Sequence, residues 1–259
     1  MPNPDAVLLR ALLVPHEDES GAWPALVWQA GDDWQMISSA VLGGGMGPRA
    51  WVLNAQVGHG YTRLDPERHL AEIAQRHGLT GPGVGLMTAA RVTEAGFATD
   101  GGAEALVTAG IGVSGWAAQP PDAAARPAGL GAHALLRSPD TGADVAVRLA
   151  DPGADAQNPG GAAFVPGTIN IMVAVPVALS PAALVNAVAT ATEAKVQALR
   201  DAGFDASGTP TDAVCVAARA AGEQERFAGP RSAWGSRLAR AVHAATVEAA
   251  LRYRARRLS

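Results

Sequence analysis

A single cysteine among 259 residues leaves no partner for an intramolecular disulfide. The fold is therefore not covalently stapled, and a reducing cytoplasm suits the chain. Long apolar runs are missing too. None approaches the roughly 20 residues that span a bilayer, and the first, following Asp5, is broken by Arg10, unlike the unbroken core of a secretory leader. Positive charge is scarce. A net charge of −4 provides no basic surface of the kind on which nucleic-acid affinity depends, and the arginines between Arg252 and Arg257 read as the solvated last turns of a helix whose carbonyl end favours cations. Phosphate-loop chemistry is absent as well: GGGMGPR at 43–49 lacks the lysine and hydroxyl of GxxxxGK[ST], and IGVSGW at 111–116 fails as a nucleophile elbow at Trp116.

What remains is 48% hydrophobic and 17% charged, the composition of a globular chain that buries a sizeable core in one large domain, or two closely merged. The stretch at 166–202 organises it. Alternation places Ile169, Ile171, Val173 and Val175 on one face of a strand and Thr168, Asn170, Met172 and Ala174 on the other. A pure packing surface needs neither the hydroxyl nor the amide. Ser180-Pro181 starts a helix and Gly203-Phe204 stops it. Within it Val185, Val188, Ala189, Thr192, Val196 and Leu199 form an apolar stripe, with Lys195 on its flank and Glu193 on the opposite edge, a pattern that predicts a pocket between the two.

Upstream, residues 6–14, 22–30 and 34–41 read as strands joined by turns at His16–Gly21 and Gly31–Asp33, with Trp23, Trp28 and Trp34 either packing between layers, the default for each, or lining a broad apolar site. The glycines of 43–49 permit close backbone approach to something bulky. Trp51–Val57 is a strand carrying Asn54, and Asp65-Pro66 starts a capped helix with Leu70, Ile73, Ala74 and His77 on one face. His69 and His77 stand about two turns apart, too far for one metal ion. Strands at 85–90 and 105–110 carry Thr88 and Thr108 in matching register; as neighbours they would share a sheet face. A hairpin at 134–149, a loop at 151–161, a strand from Ala213 to Ala217 with a buried, inert Cys215, and a helix at 233–254 with Leu238, Val242, Ala245 and Ala249 inward complete the pattern.

GTINIM, TATEAKVQAL, SGTPTDAVCVA at 207–217 and FAGPRSAWG at 227–235, together with Asn54, Tyr61 and LMTAARV at 86–92, resemble in order and spacing the adenosylcobinamide amidohydrolase family (CbiZ-type). The likeness covers most of residues 38–252 within a single domain of 1–259. It implies hydrolysis of the amide between the corrin's propionyl arm and aminopropanol, giving adenosylcobyric acid for salvage of cobalamin (vitamin B12). The chain departs from the family pattern at 111–116, where an asparagine is expected, and at Pro210, where a glycine is expected. No D-x-H-x-x-G occurs, so the corrinoid is expected as substrate, with no protein ligand to cobalt and no cofactor.

Amide hydrolysis needs an activated nucleophile, oxyanion stabilisation and protonation of the leaving nitrogen. The residues expected to supply these are Glu193 or Asp212 as base on water or on a threonine hydroxyl, Lys195 by charge, and Asn170 with nearby backbone donors on the oxyanion, with a covalent intermediate at Thr168 as a variant. Asn54, Tyr61, Thr88, Thr108, Thr209 and Thr211 are expected to bind the substrate's amides. The expected fold is α+β, a mixed or antiparallel sheet layered with helices in a sandwich, in a soluble cytoplasmic protein with a small-molecule partner and a possible homo-oligomeric state. The competing readings are a non-catalytic corrinoid-binding protein and a hydrolase of the same architecture acting on another amide.

Overall fold

The structure, a computed structural model, describes residues 7–19, 21–119, 126–127 and 167–258. The expected hairpin at 134–149 and loop at 151–161 lie outside these residues. The described elements, in order, are β1 (Leu12–Asp18), β2 (Gly21–Gln29), β3 (Trp34–Ser38), β4 (Gly45–Pro48), β5 (Trp51–Gln56), α1 (Pro66–Arg76), β6 (Gly83–Thr88), β7 (Gly96–Asp100), β8 (Ala103–Gly110), β9 (Val113–Ser114), β10 (Arg126–Pro127), β11 (Thr168–Ala174), β12 (Ala178–Leu179), α2 (Pro181–Asp201), β13 (Ala213–Arg219), β14 (Gln224–Glu225) and α3 (Ala233–Leu258). The class is α+β, as expected.

Two sheets stack face to face. One has the order β1-β2-β5-β6 and the other β4-β3-β13-β11-β8-β7. Each contains one parallel pair, β5 with β6 and β11 with β13. Parallel neighbours need a long crossover, and α1 and α2 provide it. Alternation along every strand then separates three cores. Leu53, Ala55 and Val27 pack under α1. Trp28, Trp34, Met36, Val52, Leu86 and Met172 fill the space between the sheets, and Ile169, Ile171, Val173 and Val216 pack against α2 and α3.

β11 has the two faces read from its sequence, and Trp28 and Trp34 meet edge to face between the sheets, 5.1 Å apart. α3 buries Leu238, Val242, Ala245 and Ala249 as expected. Cys215 is buried in β13, where desolvation pushes its thiol up to about 12.

Several expectations are corrected. The His16–Gly21 turn is shorter, because β1 continues to Asp18 in register with Gly21 of β2. The bulky neighbour of the 43–49 glycines is the chain itself: a Cβ on Gly43 would lie 1.8 Å from the Gly83 carbonyl oxygen, and Gly45–Pro48 forms a strand against β3. Asp65 does not cap α1 with its side chain but pairs with Arg63 at 2.9 Å. His77 is not on the buried face of α1 but follows its last residue, Arg76, and is only half-buried. Thr88 and Thr108 belong to different sheets. Of the expected stripe only Leu199 is fully buried; the rest of the buried face of α2 includes Leu184, Ala187, Ala191, Ala194, Lys195 and Ala198, while Val185 is 58% exposed. Small residues let the helix approach the sheet and α3 closely, and that proximity outweighs the larger hydrophobicity of valine.

The same closeness holds where β7 crosses α3. A Cβ on Gly96 would lie 2.1 Å from the Ala245 carbonyl oxygen, a backbone atom that cannot rotate away. Gly96→Ala is expected to destabilise the protein by about 2–3 kcal/mol, the scale of core overpacking. Thermal unfolding should show this as a midpoint lowered by roughly 5–10 °C.

Candidate functional site

The inward faces of the two sheets turn polar toward one end. β5 contributes Asn54, β8 Thr108 and β11 Asn170, all at most 1% exposed. Asn170 Nδ2 donates to the Met87 carbonyl at 3.0 Å and to Asn54 Oδ1 at 2.9 Å. Asn54 Nδ2 donates in turn to Thr108 Oγ1 at 3.0 Å. A backbone carbonyl only accepts, so Met87 fixes the orientation of both amides. Both N–H donors of Asn170 are thereby committed, and its Oδ1 is left buried without a partner. The expected oxyanion role of Asn170 is corrected on this point: the residue has an acceptor to offer and no donor. Unpaired buried acceptors are costly and rare.

The second cluster centres on Asp212, just before β13. Its Oδ1 accepts from the Ile169 amide at 2.9 Å and from the Thr209 hydroxyl. Its Oδ2 accepts from Lys195 Nζ at 2.5 Å and from the Thr209 amide at 3.1 Å. Lys195 projects from α2 with its side chain only 9% exposed, and that of Asp212 is 11% exposed. Four donors occupy the carboxylate, leaving no lone pair for a water to be deprotonated. The pair is so closely covered that a Cβ on Gly208 would lie 2.3 Å from Asp212 Oδ2 and 2.6 Å from Lys195 Nζ. Beside it, Thr168 and Thr211 hydroxyls meet at 2.6 Å and Thr211 donates onward to the Gly167 carbonyl at 3.1 Å.

Asp212 borders two clefts. One, of about 500 Å³, is lined among others by Tyr61, Thr88, Thr168, Asn170 and Thr211. The other, of about 440 Å³, is more polar and is lined by Ser114, Trp116, Lys195, Ser207, Gly208 and Thr209. The structure thus gathers Thr168, Lys195, Thr209, Thr211 and Asp212 in one cluster and Asn54, Thr108 and Asn170 in another. Tyr61 and Thr88 line the first cleft only. Glu193 is not part of this arrangement: it is exposed on the outer side of α2 with Thr192, Val196 and Arg200, so the expected pocket between Glu193 and Lys195 does not form.

Two signals went unread in the sequence. Of the 20 basic residues Lys195 is the sole lysine, and among the described residues it is the basic group held in a compact, nearly buried ion pair, where a planar guanidinium has a different shape and donor pattern. The second is the start of SGTPTDAVCVA: Ser207 and Gly208 stand in that motif, and the Asp212 hub is what sets them along the polar cleft.

Behind the larger cleft, Tyr61 stacks on His69 at 9° and its hydroxyl meets His69 Nδ1 at 3.1 Å. His16 stands edge-on to His69 and donates from Nε2 to the Gln56 carbonyl at 2.7 Å. Desolvation lowers the pKa of both histidines, against smaller upward contributions from Asp18. Among the described residues no group of three or more His, Cys, Asp or Glu is arranged to hold a metal ion, and no helix is long and apolar enough to cross a membrane.

Comparison with known proteins bears on this site. A family model described as adenosylcobinamide amidohydrolase matches residues 12–258. A curated protein of that name from Methanosarcina mazei is 28% identical over 185 residues, which cover 71% of this chain and 70% of the relative.

Removing one member of a buried pair leaves the other charge uncompensated, so Lys195→Met should cost about 3–5 kcal/mol in urea unfolding. The Lys195→Met/Asp212→Leu double variant should recover part of that loss. Histidines held below their free value bind protons more readily in the unfolded chain. Their contribution is therefore complete above the free value of 6.5 and lost progressively as pH falls from there through their lowered folded values. The thermal midpoint should drop between pH 7 and pH 5, and His16→Gln should flatten that slope.

Proposed function

Because the chain belongs to the adenosylcobinamide amidohydrolase family, we propose that it hydrolyses the amide between the corrin's propionyl arm and aminopropanol, yielding adenosylcobyric acid for cobalamin salvage. The observation that carries this reading is the Lys195–Asp212 pair, nearly buried yet bordering a polar cleft. An amide carbonyl gains negative charge as it becomes tetrahedral, and an ammonium held in a partly desolvated site stabilises that charge more than water does. Lys195 donates one recorded hydrogen bond, to Asp212, so its remaining N–H groups are available to such an oxygen.

The larger cleft suits the rim of the ring. Corrin acetamides carry N–H donors and C=O acceptors, and Tyr61, Thr88 and Thr168 set polar atoms along the wall of this cleft. In this arrangement the ring edge sits against the Asn170 side of Asp212 and the reacting arm crosses to the Lys195 side. The corrinoid enters as substrate.

Incubation of the purified protein with adenosylcobinamide, followed by mass spectrometry, should yield adenosylcobyric acid and aminopropanol in equal amounts. Lys195→Met and Asp212→Asn should lower kcat by about a hundredfold or more, the scale of losing one oxyanion partner, whereas Glu193→Ala should remain fully active. Binding of the corrinoid without product would favour a binding protein whose loop is altered by Pro210. Product from other amides alone would reassign the substrate.

A further inference from the structure

Hydrolysis of an amide begins either with water or with a side-chain nucleophile, and the hydrogen bonds of the two clefts discriminate between them. A water-first route needs a carboxylate with a free lone pair beside the substrate. Asp212 has four donors on it, and Glu193 faces solvent elsewhere. The hydroxyls differ in where their protons go. Thr211 donates to the Gly167 carbonyl, so the proton in its contact with Thr168 comes from Thr168, and that chain ends on an oxygen that cannot act as a base. Ser207 likewise donates to a carbonyl, that of Gly115, at 3.1 Å. Cys215 is buried, with its thiol pushed up to about 12. Among the hydroxyls of both clefts, only Thr209 donates to a carboxylate.

We infer that Thr209 is the nucleophile of this protein and that turnover passes through an ester between the substrate's acyl group and Thr209 Oγ1. The inference rests on the amidohydrolase reading above. Thr209 is half-buried and lines the polar cleft with Lys195, so its oxygen is open to a substrate while its proton is held on Asp212 Oδ1. Its backbone amide is tied to Asp212 Oδ2, and Pro210 on its C-terminal side restricts the loop further. Gly208 on the other side lets the backbone lie directly on the Lys195–Asp212 pair. A nucleophile on a base, with the base oriented by a third group, is the general arrangement for covalent catalysis.

The step balances with water as the only co-reactant. Thr209 Oγ1 bonds to the amide carbon as its proton passes to Asp212 Oδ1, and the carbonyl electrons move to the oxygen beside the Lys195 ammonium. The C–N bond then breaks as the carbonyl re-forms, and the departing nitrogen takes the proton from Asp212 and leaves as a free amine. Water next adds to the ester, giving its proton to Asp212. Collapse returns that proton to Thr209 Oγ1, releasing the carboxylic acid.

The test compares wild type with Thr209→Val, which keeps shape and loses the hydroxyl, and Thr209→Ser, which keeps the hydroxyl. Adenosylcobinamide is the probe, and hydroxylamine is added as a competing nucleophile. Wild type should form the corrinoid hydroxamate as well as the acid, and rapid acid quench should leave the acyl mass on the peptide carrying Thr209. Thr209→Val should lose about a thousandfold or more in kcat with corrinoid binding and thermal midpoint retained, while Thr209→Ser should stay within about tenfold of wild type. Thr209→Val retaining more than a tenth of wild-type kcat, or an inactive Thr209→Ser that is folded and binds corrinoid, would overturn the assignment. If wild type itself produces neither acid nor hydroxamate, the substrate reading fails, and the failure is distinguishable because it precedes any comparison of variants.

Discussion

A carboxylate that is almost out of water must be neutralised where it stands, and Asp212 meets that requirement with donors from three separate parts of the chain. The Ile169 amide comes from β11, the ammonium from α2, and the Thr209 amide and hydroxyl from the loop leading into β13. Loss of the Lys195 ammonium would leave the carboxylate's charge uncompensated in a region of low dielectric, where the cost is several kcal/mol. The start of the strand, the roll of the helix and the path of the loop are therefore not independent. Pinning Lys195 inward also decides the fate of Glu193: two residues on a helix are about 200° apart, so one faces the carboxylate and the other faces solvent.

The crossover β11-α2-β13 that holds this cluster has a counterpart in β5-α1-β6. Each unit makes the parallel pair of its own sheet, and the first strand of each carries an inward asparagine. Those two asparagines bond to each other across the interior. Stacking the sheets thus completes a polar network that neither sheet contains alone. The Met87 carbonyl at the end of β6 settles the direction of every donor in it, which makes a backbone oxygen the determinant of how both asparagine amides are turned.

The faces of β11 were legible because alternation is strict and both faces are buried, so hydrophobicity and period agree. Helix α3 was legible for a similar reason, with Leu238, Val242, Ala245 and Ala249 at helical spacing. Helix α2 misled because alanines form its close contact and valines lie at its edges; side-chain hydrophobicity does not report how near two backbones come. Thr88 and Thr108 show the limit for sheets, since matching sequences fall in different sheets and strand order is set by tertiary packing. The members of the site were largely identifiable by residue type, but the roles were not. The donors of Asn170 are committed because of a carbonyl that sequence does not reveal, and which hydroxyl meets the Asp212 carboxylate is visible only in the direction of the hydrogen bonds.

The chain's basic residues are arginine throughout except at position 195. One consequence concerns spectroscopy. Reductive methylation with isotopically labelled formaldehyde converts ε-amines to dimethylamines without removing their charge, and this protein has one such amine to convert. The label would report from beside Asp212 with no competing side-chain signal, so that corrinoid arrival, ion-pair rupture and any protonation change at the cleft could each be followed as the shift of a single resonance.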